Sequence, residues 1–83
     1  MVRGLSFSKQ AIIDYNTLKD NIATNQGVFI IIDKDNKEIL RVINSIKDVE
    51  KEVDNIKGHY KFGQIHFDMV GFKEIRDKLS FIA

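Results

Sequence analysis

The feature that most constrains the fold is a pair of apolar runs separated by a short polar turn, at residues 27–43. Residues 28–32 (VFIII) form a continuous β-branched and aromatic run, which is typical of a strand covered on both faces. The DKDNK segment at 33–37 is typical of a turn, because Asp and Asn side chains hydrogen-bond to nearby backbone groups. Residues 38–43 then return as a second strand. The pattern predicts a β-hairpin whose first strand is central in a sheet.

Apolar spacing predicts a helix on each side of this hairpin. Residues 8–24 repeat apolar side chains at helical spacing, and Ser8 is positioned to cap the first turn. Residues 46–56 carry one apolar stripe, with Ser45 as the N-cap and Gly58 where a C-terminal glycine belongs. These two stripes consist of Ala11, Ile12, Tyr15, Leu18 and Ile22 in the first helix and Ile46, Val49, Val53 and Ile56 in the second.

The C-terminal part of the sequence predicts a further strand and a last helix. Residues 59–67 read as a strand whose apolar parity changes at Gly63–Gln64, which is the mark of a β-bulge. Residues 72–82 again show one helical stripe. We therefore expect the order α-β-β-α-β-α in a single α+β domain spanning 1–83. The expected sheet is three-stranded and antiparallel, in the order 2-1-3, with flanking helices.

Composition excludes several classes of protein. The chain has 83 residues, a net charge of +1 and no cysteine, which rules out disulfides, thiolate metal sites and a cysteine nucleophile. No apolar run approaches the roughly 20 residues that a membrane helix needs, and there is no signal-peptide pattern at the N-terminus. We expect a cytoplasmic protein without a membrane partner. Positive and negative charges are mixed evenly, so no basic stripe marks a dedicated nucleic-acid binder.

The segment QGVFIIIDKDNKEILRVINSIKDVEKEV resembles the start of a GIY-YIG nuclease domain. GVF stands where this family has its first tyrosine motif, and RVI stands at the second motif. The turn and the following helix also fall at the family's spacing. The clear resemblance covers residues 27–53 and weakens towards residue 82. It implies a small antiparallel sheet flanked by helices, in agreement with the topology expected from the patterns alone.

The residues that would perform the family's chemistry are absent. Phe29 replaces the first tyrosine and loses its hydroxyl, and Arg41 replaces the second. Ile43 stands at the motif glycine, and Glu52 lies near the position of the family's helix arginine, with the opposite charge. Asp77 or Lys78 falls near the metal-binding glutamate, and one carboxylate makes a weak site. If the lineage is right, Phe29 and Arg41 should share a cleft with Glu52 and Asp77.

We therefore expect no catalytic residues, no metal site, no cofactor and no enzymatic activity. The resemblance favours a catalytically inactive binding module, most simply a protein–protein adaptor or inhibitor of the kind that phages and mobile elements encode. Two alternatives stay open, a nucleic-acid-binding protein that uses the ancestral cleft and an active metal-dependent endonuclease. Homodimerisation also stays open, with the aromatic residues Phe7, Phe72 or Phe81 as candidates for an exposed contact patch. The candidate binding residues are Phe29, Arg41, Lys47, Lys51, Tyr60 and Arg76.

Overall fold

A computed structural model describes residues 4–23, 25–59 and 65–82, with side chains described except at 57–59 and 80–82. These described ranges contain three helices and four strands. In chain order these are β1 (Ser6–Phe7), α1 (Lys9–Leu18), β2 (Gly27–Asp33), β3 (Glu38–Ile43), α2 (Ile46–His59), β4 (Ile65–Gly71) and α3 (Phe72–Ile82). The α+β class is confirmed. None of the helices in these ranges is long and apolar enough to cross a membrane.

The prediction of a three-stranded antiparallel sheet in the order 2-1-3 is wrong, because a fourth strand makes the sheet mixed. The order is β1-β3-β2-β4, in which β2 is antiparallel to both β3 and β4, and β1 is parallel to β3. The Ser6 amide donates to the Lys37 carbonyl at 2.9 Å, and the Ser8 amide donates to that of Ile39 at 2.9 Å. A strand of two residues is too short to produce an apolar period, so the sequence pattern did not show it.

The sheet has an apolar core on each face. On one face, α1 and α3 cover the side chains of alternate β2 residues; on the other face, α2 covers the intervening ones. Each core is fully buried at its centre. The first core contains Val28, Ile30, Ile32, Ile39, Val42, Val70, Phe72, Ile75 and Leu79, and the second contains Ile31, Leu40, Ile43, Val49, Val53 and Ile65.

Several predicted boundaries differ from the observed ones. Helix α1 ends at Leu18 rather than residue 24, although Ile22 beyond it is still buried. Helix α2 continues through Gly58 to His59. Strand β4 extends to Gly71, past the predicted end at residue 67. The predicted irregularity at Gly63–Gln64 lies outside the described residues. The Ser8 cap is confirmed, since its hydroxyl accepts a hydrogen bond from the Ala11 amide at 3.0 Å.

The β2–β3 turn places Lys37 in the left-handed region, with φ at 52°. A side chain with a Cβ pays a steric cost there that glycine avoids. We expect Lys37→Gly to raise the free energy of unfolding by up to about 1 kcal/mol, net of the extra entropy of an unfolded glycine. Urea denaturation measures the change. The matched control is Lys34→Gly in the same turn, where φ is not positive; equal stabilisation by both variants would contradict the assignment.

Candidate functional site

A register shift in the hairpin lies next to a cluster of polar contacts around Arg41. Ile31 pairs with Arg41 and Ile32 pairs with Ile39, so Leu40 is an extra residue in β3. Strand β1 pairs only with Glu38 and Ile39, and beyond them the outer edge of β3 is covered by side chains of the β1–α1 region. The Ser8 hydroxyl donates to the Leu40 carbonyl at 2.9 Å. Up to the bulge, the outer edge of β3 is hydrogen-bonded to the backbone of β1; beyond the bulge, it is hydrogen-bonded to side chains.

Asp14 on α1 supplies the next part of this edge. Its carboxylate accepts a hydrogen bond from the Val42 amide at 3.0 Å and another from Gln10 Nε2 at 3.2 Å. It also accepts from Arg41, through Nε at 2.7 Å and Nη2 at 3.2 Å. Asp14 is only 8 % exposed. A buried carboxylate of this kind is held by several donors at once, as burial of a charge requires.

Arg41 connects this carboxylate to the second helix layer. Its Nη1 atom lies 2.8 Å from Oε2 of Glu52 on α2. The hydrogen bond with Asp14 raises the pKa of Arg41 above its ordinary value, with partial burial opposing this change and the charges of Asp14 and Glu52 adding to it. One guanidinium thus ties α1, β3 and α2 together. Its three nitrogens each contact a carboxylate, so its charge is already compensated within the chain.

The cleft around this contact is open and acidic. It has a volume of about 340 Å³ and a rim formed by α1, the end of β3 and the start of α2. Its charged side chains are three carboxylates and two cations, namely Asp14, Asp48, Glu52, Arg41 and Lys51. A phosphate entering this cleft would meet net negative charge, and the nearest guanidinium is already paired.

The structure brings together only part of the predicted binding set. Arg41 and Lys51 line the cleft, whereas Lys47 on the same helix is exposed outside its lining. Arg76 lies on α3, across the sheet from α2, where it contacts Asp77 at 3.3 Å. Tyr60 lies outside the described residues. Of the four residues that the nuclease resemblance places in one cleft, Arg41 and Glu52 line the observed cleft.

Phe29 and Asp77 do not line this cleft, so the expectation that all four residues share it is wrong. Phe29 belongs to a different surface. Its ring meets that of Phe67 edge-to-face, with centroids 6.5 Å apart. Across the β2–β4 pair, Phe29 lies opposite Met69, and Ile31 lies opposite Phe67. Met69 is 61 % exposed and Phe67 is 48 % exposed. These three side chains, Phe29, Phe67 and Met69, form an apolar patch on the α2 side of the sheet, which we call the β4 patch.

Sequence reasoning missed Asp14 and the β4 patch, although each left a signal. Asp14 is a charged residue three positions after Ala11 and four before Leu18, inside an apolar stripe. A charge in such a position is rarely buried without a partner on another element. The patch was missed because the strand was expected to end at Phe67, which left Met69 outside the sheet.

Phe72, named above as a candidate for an exposed dimer contact, is buried at 2 % exposure and stacks on Tyr15 at 5.3 Å. The expectation that Phe72 could form an exposed dimer contact is therefore wrong. Phe7 is half-buried against the same core, and the Phe81 side chain is outside the described set. The exposed aromatic contact instead lies on β4.

Within the described ranges, no group of three or more His, Asp or Glu side chains is placed to hold a metal ion. Comparison of the chain with protein-family models, with curated proteins and with solved structures found no match. The cleft and the β4 patch are therefore the two candidate sites of function.

Proposed function

We propose that this protein is a non-catalytic protein-binding module, acting as an adaptor or inhibitor in the cytoplasm, and that the β4 patch is its contact surface. The observation that carries the proposal is the patch itself. Two large apolar side chains are about half exposed or more, side by side, on a strand at the end of the sheet. Contiguous exposed apolar groups next to an unpaired strand edge are typical of protein–protein contact sites.

The state of the cleft supports the absence of catalysis. At the second motif position, Arg41 is bound by Asp14 and Glu52, so it offers neither a phenolic hydroxyl nor a free cation. At the first position, Phe29 contributes to the β4 patch instead. Descent from a GIY-YIG nuclease stays a proposal: Arg41 and Glu52, at two positions of the motif pattern, share the cleft, whereas Phe29 and Asp77 do not line it.

Nucleic-acid binding is the second candidate, because Arg41 and Lys51 both line the cleft. It ranks lower because three carboxylates share that cleft and Arg41 is already compensated. Phosphate binding at this point would require breaking at least one ion pair. An active endonuclease ranks third, since its positioning and charge-stabilising groups are missing.

Affinity capture with matched surface variants tests the proposed function. The tagged chain is used as bait in a lysate of the cells that produce it. We expect a stoichiometric protein partner that is lost with Phe67→Ser and retained with Ile13→Ser. Ile13 is the matched control because it is 55 % exposed on α1, away from the patch. Quantitative mass spectrometry of the eluates measures the difference.

Two results would contradict the proposal. The first is a partner retained equally by both variants, which would place the contact elsewhere. The second is Mg²⁺- or Mn²⁺-dependent cleavage of plasmid, branched or single-stranded DNA by the purified wild-type chain, which would contradict the absence of catalysis. Binding to DNA that falls steeply with salt and depends on Lys51 would favour the second candidate.

A further inference from the structure

The outer edge of β4 carries backbone groups in a defined pattern. Phe72 donates its amide to the Gln26 carbonyl at 2.8 Å, and the two residues continue the β2–β4 register. In an antiparallel ladder every second pair exchanges hydrogen bonds, so the even-numbered residues of β4 bond to β2. The N–H and C=O groups of Ile65, Phe67 and Met69 therefore point away from β2. In the part of the chain that the structure describes, no strand lies on that side.

Asp68 gives independent support for this orientation. Its Oδ1 atom accepts a hydrogen bond from the Met69 amide at 2.9 Å, at an exposed position. An amide bonded to β2 would not be available for that contact. The carboxylate thus occupies an edge N–H that another strand would otherwise take.

We propose that β4 pairs antiparallel with β4 of a second copy of this chain, about a two-fold axis at Phe67. This inference rests on the part of the proposed function that makes the β4 patch a protein-contact surface, and it names a second copy of the chain as the occupant of that surface. Phe67 then lies opposite Phe67 of the partner subunit, and Ile65 opposite Met69 of the partner subunit. All of these residues point their amides and carbonyls outwards, so each pair exchanges two backbone hydrogen bonds. The two sheets join into one.

Charge favours the register centred on Phe67 over the register centred on Asp68. With the axis at Phe67, His66 lies opposite Asp68 of the partner subunit, and the symmetric contact forms on the other side. Both side chains are exposed, on the face opposite the β4 patch. With the axis moved by one residue to Asp68, two carboxylates face each other directly, which is destabilising. In the register centred on Phe67, the imidazole N–H of His66 instead meets the carboxylate of Asp68 of the partner subunit. That carboxylate is free to accept because the Met69 amide now donates to the other strand.

The apolar face is equally self-complementary in this register. The two Phe67 rings meet across the axis, and each Met69 lies beside Ile65 of the partner subunit. Such aromatic and aliphatic cross-strand pairs contribute to antiparallel pairing. The two β4 patches are brought together across the joined edge. One surface therefore accounts for the exposed Phe67 and Met69, for the edge of β4 that no described strand covers, and for the placement of His66 and Asp68.

Sedimentation velocity of the full chain, from micromolar to millimolar concentration, tests the inference. We expect a reversible monomer–dimer equilibrium. Met69→Pro removes an outward N–H without removing a bond to β2, and proline is tolerated at such edge positions. We expect this variant to raise the dimer Kd more than ten-fold. Met69→Ala is the matched control, since it keeps the N–H and should weaken the dimer much less.

A charge exchange tests the register and does not depend on a proline. His66→Asp places a carboxylate opposite Asp68 of the partner subunit and should weaken the dimer. Adding Asp68→Lys to the same chain should restore the affinity, because opposite charges then face each other. In the register centred on Asp68, that double variant would place the two introduced lysines together and would not restore it.

A chain that is monomeric throughout this concentration range would overturn the inference. So would a dimer that resists Met69→Pro, or a double variant that fails to recover. These outcomes are separable from failure of the proposed function. A monomer that still captures a Phe67-dependent partner keeps the proposed function and loses the dimer. A dimer that behaves as expected but captures no other protein keeps the dimer and loses the adaptor or inhibitor role.

Discussion

Replacing Arg41 with alanine is expected to lower the free energy of unfolding by about 2–4 kcal/mol, because it leaves a buried carboxylate without its cation. Asp14 would keep its bonds from the Val42 amide and Gln10 but lose both contacts with the guanidinium. Glu52 would lose its cation as well. The estimate is set below the range of about 3–5 kcal/mol for fully buried pairs, since Arg41 is partly exposed to water. Urea denaturation followed by circular dichroism measures the change.

The control for this experiment is the ion pair on α3. Asp77→Ala removes a carboxylate from an exposed pair with Arg76 and should change stability by less than about 1 kcal/mol. A double-mutant cycle of Arg41→Ala with Asp14→Asn isolates the coupling between the two partners. If Arg41→Ala cost no more than Asp77→Ala, the three-element link would have no energetic role.

Phe72→Ala is expected to cost about 3–5 kcal/mol, as large-to-small substitutions of a buried aromatic residue do. Phe72 is the first residue of α3, and its ring stacks on Tyr15 of α1 with an interplanar angle of 13°. Truncation leaves a cavity among α1, α3 and the sheet. A loss of this size is comparable to the whole stability of many small domains, so the variant should be largely unfolded at ambient temperature.

Thermal unfolding of three chains measures this contribution. Tyr15→Phe keeps the ring that stacks on Phe72 and should remain folded with a melting temperature close to the wild type. Ile13→Ala, at an exposed position on the same helix, should also be nearly neutral. A folded Phe72→Ala variant with an unchanged melting temperature would contradict the placement of this residue in the core.

The parts of the fold that were predictable are those with a local cause. The hairpin at 27–43 follows from two apolar runs and a turn, and the Ser8 cap follows from one hydroxyl at the start of an apolar stripe. Helix α3 begins and ends where its stripe does. Strand β1 was not predictable, since two residues carry no period and its pairing depends on backbone groups 32 positions away.

The candidate site was less predictable than the fold. Arg41 was singled out as a replaced tyrosine, yet its environment depends on Asp14, which lies 27 positions away in the sequence. No local pattern links the two residues. Conversely, Lys47 and Lys51 lie only one helical turn apart, and the structure places just one of them at the cleft. Spacing along a helix says which side chains share a face, but not what that face meets.

The outer backbone groups of β3 are already hydrogen-bonded to side chains, and this has a consequence for assembly. At that end of the sheet, Ser8 and Asp14 occupy the groups that a further strand would need, and β1 itself is only two residues long. At the opposite end, no strand in the part of the chain that the structure describes lies beside the outer edge of β4. Because a two-residue strand offers too little backbone for a further strand to pair with, pairing through β4 uses the one long edge that the described residues leave uncovered, and growth stops after one step. Self-association of this chain should therefore stop at a pair and not continue into fibrils.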